Sequence, residues 1–170
     1  MKETYDFDWE DLGNLEVGRP NLGTWASLLS YRLMAFSFKE VMSKELGLAK
    51  TMELFSRAGK LAGRHFCNNI LDKSLKFDAF IAQLKQKLID LKIGVLRIEK
   101  SDPNTFKFII TISEDLDCSG LPVSGQTLCD YDEGFIAGIF LEYTGREFQV
   151  KEVDCWATGD RTCRFTADAS

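Results

Sequence analysis

The sequence is poor in the residues on which several common chemistries depend. It has one histidine, His65, in 170 residues, and neither a Ser-His-Asp set nor a facing carboxylate pair stands out, so general acid–base catalysis has little to draw on. There is no run of lysine or arginine, and 21 basic against 26 acidic residues leave a net charge of -5. That balance excludes a surface that tracks a phosphate backbone, so no nucleic-acid partner is expected. No apolar stretch reaches the roughly 20 residues a spanning helix needs, and the acidic start, Met1 to Asp11, is not a signal peptide. The chain is therefore expected to be cytoplasmic with no membrane span. A phosphate-binding glycine loop, an iron–sulfur cysteine pattern and a Cys-x-x-Cys knuckle are also missing.

What is present suits one folded unit. Hydrophobic residues at 45% and charged residues at 28% set disorder aside, and the length supports a real core. The whole chain, 1-170, reads as a single domain with an N-terminal arm (1-23), a helical half (24-91) and a mixed half (92-170). The five cysteines are an odd number, and in a reducing compartment they read as free thiols or metal ligands rather than a disulfide framework.

After Gly18-Arg19-Pro20, helical spacing over Thr24 to Leu46 places Trp25, Leu28, Leu29, Arg32, Phe36 and Val41 on one side, and Gly47 ends the helix. A second helix over Ala49 to Leu71 carries a stripe of small residues, Ala58, Gly59, Ala62 and Gly63, that lets another backbone approach closely. A third, Phe77 to Leu91, shows an apolar stripe of Phe77, Ile81, Leu84, Leu88 and Leu91 with lysines opposite, a solvated face. Strands follow over Gly94 to Glu99 and Thr105 to Ile112, joined by a turn at Ser101-Asp102-Pro103-Asn104. A loop, Ser113 to Ser124, leads to a fourth helix from about Thr127 to Tyr143, in which Gly134 and Gly138 suit close helix packing. Two further strands, Glu147 to Trp156 and Arg161 to Ala167, flank a turn. The order predicts an α+β domain with helices packed on an antiparallel sheet.

That last turn separates Cys155 from Cys163, and if its strands pair, both thiols come within reach of one ion. Cys129 starts the fourth helix. Glu152, three residues before Cys155, faces the other way on a regular strand, so a bulge is needed to bring both inward. Three thiolates and one carboxylate make a reasonable closed, structural zinc site. Buried free thiols are the plainer reading. Cys118 is a competing fourth ligand, and Cys67 lies on a helix with no partner nearby. His65 reads as a surface or satisfied core residue.

The stretch CSGLPVSGQTLCDYDEGFIAGIFLEYTGREFQVKEVDCWATGDRTCRF, residues 118 to 165, resembles the 4-vinyl reductase domain family. The shared features are a cysteine, a Tyr-acidic-x-Gly-Phe-x-x-Gly helix, and Glu-x-x-Cys-Trp-Ala-x-Gly-Asp-x-x-Cys-x-Phe. The N-terminal part is similar too, and the likeness is weakest between about Leu71 and Asp117. The resemblance implies a small-molecule-binding domain with a fold like the small subunits of the TRAPP tethering complex and the sensor domains of phenol-responsive activators. In those sensors a structural zinc is held by a cysteine, a glutamate and two cysteines, which match Cys129, Glu152, Cys155 and Cys163. Zinc or iron suits such ligands.

The histidine and tryptophan that grip phenol in the sensors have no counterpart here. The corresponding region offers Phe77, Phe80, Phe106 and Phe108, as ligand contacts for a hydrocarbon or aromatic molecule, or simply as core. Trp156 is expected to shield the metal from water. The leading expectation is a zinc-containing binding domain acting as a sensor or carrier without catalysis. It is expected to be a homodimer, with output through a separate protein. A tetrapyrrole vinyl-reduction enzyme or accessory factor, and a dimeric scaffold or tethering subunit, are the alternatives.

Overall fold

The computed structural model describes residues 4–102 and 104–170. The first three residues of the predicted arm, and Pro103 of the predicted turn, lie outside that range. After a 3₁₀ turn at Trp9–Leu12, the helices are α1 (Leu15–Gly18), α2 (Leu28–Leu46), α3 (Leu48–Ile70), α4 (Phe77–Asp90) and α5 (Asp130–Thr144). The strands are β1 (Val95–Asp102), β2 (Lys107–Ser113), β3 (Phe148–Asp154) and β4 (Cys163–Ala169), with a short 3₁₀ turn, Trp156–Thr158, between the last two. They form one open antiparallel sheet in the order β1-β2-β4-β3. The expected α+β architecture, helices on an antiparallel sheet, is what the chain adopts.

Alternation along the strands gives the sheet its two faces. Leu96, Phe108, Ile110, Ile112, Phe148, Val150, Phe165 and Ala167 point to the core, where Phe80, Leu84 and Leu88 of α4 and Ile136, Ile139 and Phe140 of α5 meet them. The opposite face carries Arg164, which donates to Asp154 on the adjacent β3 and to Glu99 on β1, two strands away. Such exposed pairs contribute little.

α3 lies over α5, and four glycines determine how closely. A Cβ added at Gly59 or Gly63 would sit 2.0 or 2.1 Å from the carbonyl oxygens of Tyr131 and Phe135. One added at Gly134 or Gly138 would sit 1.8 or 2.2 Å from those of Ser56 and Lys60. Gly59 and Gly63 of the small-residue stripe thus meet the paired glycines of α5 backbone to backbone, while Ala58 faces outward.

α2 departs from expectation. Ser27 caps its start by accepting from the Ser30 amide, and Gly47, at φ 82°, turns the chain directly into α3. The helix starts at Leu28 and not at Thr24, which leaves Trp25 outside it, and Trp25, Leu28, Leu29, Phe36 and Val41 are exposed. Arg32 of the predicted stripe turns inward beside Tyr31 and Lys39, and the three bond to residues 115–130.

Gly134→Ala is expected to destabilise the domain by about 3 kcal/mol, because backbone carbonyls cannot yield as side chains do. In a chain of this size that lowers the melting temperature by roughly 6–12 °C. Gly18→Ala, where an added Cβ meets nothing within 4 Å, is expected to stay within about 0.5 kcal/mol of the parent. Thermal unfolding of both variants checks this.

Candidate metal centre

Four cysteines converge where three parts of the chain meet. Cys118 comes from the loop after β2, Cys129 immediately precedes α5, Cys155 follows β3 and Cys163 opens β4. Their sulfurs all lie within 4.8 Å of one another, and all four residues are buried. Cys129 Sγ is 3.9 Å from Cys155 Sγ and 3.7 Å from Cys163 Sγ, and Cys118 Sγ is 3.0 Å from Cys163 Sγ. A zinc ion with bonds of about 2.3 Å to sulfur separates tetrahedral thiolates by about 3.8 Å. The two longer separations match that edge, so the donor set fits a metal ion.

Local geometry explains the convergence. The register of β3 on β4 shifts between Glu152 and Asp154, the bulge needed to turn both Glu152 and Cys155 inward. Cys155 then opens a turn in which its amide donates to Thr158 Oγ1 and its carbonyl accepts from Asp160 N. Gly159, at φ 108°, occupies a conformation that side chains rarely adopt. The Trp156 indole donates to the Leu121 carbonyl, and the Ala157 carbonyl accepts from Ser124 and Gly125. The turn is thus bonded to the Cys118 loop, and half-buried Trp156 joins the two.

Glu152 is beside the thiols but differently employed. Its Oε2 accepts from the amides of Leu128 and Cys129, both at 3.1 Å, whereas Oε1 is buried without a partner among the described residues. The structure therefore brings together Cys129, Cys155 and Cys163 of the four predicted ligands, sets Glu152 against the Cys129 backbone, and adds Cys118.

Two acids that sequence reasoning passed over flank the cluster. Asp115 and Asp132 are buried, each with a carboxylate oxygen within 4.8 Å of the other and of Cys129 Sγ. Asp115 Oδ1 accepts from the amides of Asp117 and Cys118 and so shapes the loop. Asp132 Oδ2 has no partner among the described residues, and the residue borders a void of about 10 Å³ among Leu84, Leu88, Ile110, Ile136 and Phe140. Burial raises the Asp115 carboxyl to about 6, helped by the Asp117 charge, and Glu152 to about 7; it also pushes Asp132 well up. The close approach of the four thiols holds Cys155 below the usual thiol range and pushes Cys129 above it. Cys67, on α3, is apart from the cluster, its thiol raised to about 11 by burial. His65 packs edge-on against Phe7.

The expected ligand-contacting phenylalanines lie toward the other end of the sheet, since Phe108 pairs with Ala167 whereas Ile112 pairs with Cys163. Phe80 stacks on Tyr143 at 3.8 Å and Phe77 on Phe108 at 5.2 Å. Phe106 lies beneath the Arg146 guanidinium. These rings fill the interior. The larger opening is a groove of about 800 Å³ between α2 and α3, lined by Met34, Phe38, Leu54, Phe55, Leu128 and Tyr131.

The family model of the 4-vinyl reductase domain matches residues 108–169, the segment holding all four clustered cysteines. An uncharacterized protein of Methanocaldococcus jannaschii is 30% identical over 158 residues, covering 93% of this chain and 84% of that protein. The chain belongs to the 4-vinyl reductase domain family. Similar folds occur in the phenol-responsive sensory domain of the transcription activator PoxR, solved with phenol. That structure has a TM-score of 0.61 at 14% identity and covers 78% of this chain and 71% of the other. A vinyl-4-reductase family protein from M. jannaschii has a TM-score of 0.60 at 18% identity, over 86% and 83% of the two chains. A trafficking protein particle complex subunit 3 from Naegleria fowleri, covalently bound to palmitic acid, has a TM-score of 0.61 at 12% identity, over 85% and 97%. Among the described residues, no helix is long and apolar enough to cross a membrane.

Tyr31 donates to Asp117 Oδ1 at 2.6 Å from α2. Tyr31→Phe is expected to cost about 1.5 kcal/mol, since a hydrogen bond to a half-buried carboxylate is lost. Urea unfolding followed by far-ultraviolet circular dichroism is the check, and an unchanged midpoint would contradict the role given to this bond.

Proposed function

We propose that this 4-vinyl reductase domain binds a small apolar or aromatic molecule, as a cytoplasmic sensor or carrier without catalysis, and that zinc at the cysteine cluster stabilises it. The observation that carries this reading is the groove of about 800 Å³, a size typical of small-molecule sites. Its wall includes Asp117, Leu121 and Leu128, from the segment that runs between β2 and α5 and carries Cys118 and Cys129. A ligand in the groove therefore rests on residues that the metal would hold. Phenol in the PoxR sensory domain supports a small aromatic ligand. A site among Phe77, Phe80, Phe106 and Phe108 is also compatible with the family, but requires stacked rings to part.

A second reading, a homodimeric scaffold or a domain that signals through a separate output protein, is favoured by α2. Leu29, Leu33, Met34 and Phe38 are each at least 60% exposed, and an apolar face of that kind suits a partner.

A hydrophobic fluorescent probe is expected to bind the groove, and Ala58→Trp, which fills it, is expected to weaken binding more than tenfold while Phe77→Leu leaves it unchanged. The reverse pattern would move the site to the phenylalanine cluster. Cys155→Ser and Cys163→Ser are each expected to lose the metal and to lower the melting temperature by about 10 °C or more, because metal binding is coupled to folding. Unchanged metal content in both would refute the zinc site.

A further inference from the structure

Cys118 and Glu152 compete for one place. A tetrahedral ion takes four donors, and five candidate side chains surround this site. The four sulfurs are mutually within 4.8 Å, a group the Glu152 carboxylate does not join. Glu152 Oε2 is engaged by the amides of Leu128 and Cys129, leaving Oε1 as the rival donor. Cys118 is brought inward by its own backbone, through the turn that Asp115 Oδ1 closes over the Asp117 and Cys118 amides.

We infer that the metal in this chain is held by four thiolates, Cys118, Cys129, Cys155 and Cys163, and that Glu152 positions Cys129 through its backbone instead of binding the ion. This rests on the metal reading above and specifies its ligands. It has a consequence that three thiolates and Glu152 do not. The Cys118 loop is held from α2: Arg32 donates to the carbonyls of Leu116 and Ser119, both at 2.9 Å, and Tyr31 donates to Asp117. Farther along α2, Lys39 pairs with Asp130 at 3.2 Å. Ligation through Cys118 thus connects the metal to α2 and so to the groove that α2 lines.

X-ray absorption at the zinc edge of the parent protein is the first test, since it needs no variant. Four sulfur scatterers at about 2.3 Å with no oxygen are expected; three sulfurs and one oxygen would overturn the inference, and a parent that binds no metal would overturn the underlying metal reading as well. Cobalt-loaded variants supply the second test. With cobalt in large excess, which fills a weakened site, Cys118→Ser is expected to bind the ion more weakly than the parent, to lose about a quarter of the thiolate-to-cobalt charge-transfer intensity and to raise amide exchange along α2, whereas Glu152→Gln retains the parent values. A full-intensity Cys118→Ser spectrum beside an altered Glu152→Gln spectrum would assign the place to Glu152.

Discussion

The backbone contact between α3 and α5 determines where everything else sits. Glycines at Gly59, Gly63, Gly134 and Gly138 let two long helices meet at carbonyl distance, with no side chain free to adjust the crossing. α5 is thereby fixed against α3 on one side and against the sheet on the other. Its first turn holds Asp130 and Asp132, and Cys129 stands immediately before it. The position of the cysteine cluster is in that sense set by residues without side chains. The sheet supplies the other side, where the bulge in β3 and the tight turn at Gly159 deliver Glu152, Cys155 and Cys163 to the same place.

The chemistry of that place is defined by burial. Glu152, Asp115 and Asp132 lie close to four thiols in surroundings that disfavour negative charge, which is why all three carboxyls are raised. So many acidic groups are tolerable when they keep protons or share a cation. The nearby bases are already engaged, Arg32 with loop carbonyls and Lys39 with Asp130. A divalent ion among the sulfurs would offset part of the charge of the thiolates it binds and convert weak thiol contacts into bonds, while the three raised carboxyls keep their protons. It would also tie together the β2–α5 loop, the start of α5 and the terminal hairpin, three segments distant in sequence.

Much of this was legible in the sequence, and the failures have physical reasons. Helix spacing located α2, α3, α4 and α5 to within a few residues, and the small-residue stripe signalled the close crossing because only another backbone fits such a surface. The hairpin cysteines were visible through the turn between them. At α2 spacing showed the helix but not which of its residues are covered, because periodicity reveals that a helix has an apolar side and not whether this chain covers it. Asp115 and Asp132 escaped notice since an acidic residue beside a turn or in a first helical turn normally faces water. Cys118 was recognisable only as a competitor, as its approach depends on the Asp115 turn, which no spacing rule describes.

The most direct measurement is elemental analysis of protein purified without added metal, combined with a count of reactive thiols before and after a chelator. One zinc per chain is predicted, with a set of thiols, those of Cys118, Cys129, Cys155 and Cys163, that react together only once the metal is removed. Metal-free protein whose cluster thiols react freely would contradict a metal-held centre, and would leave the convergence of the four cysteines as packing alone.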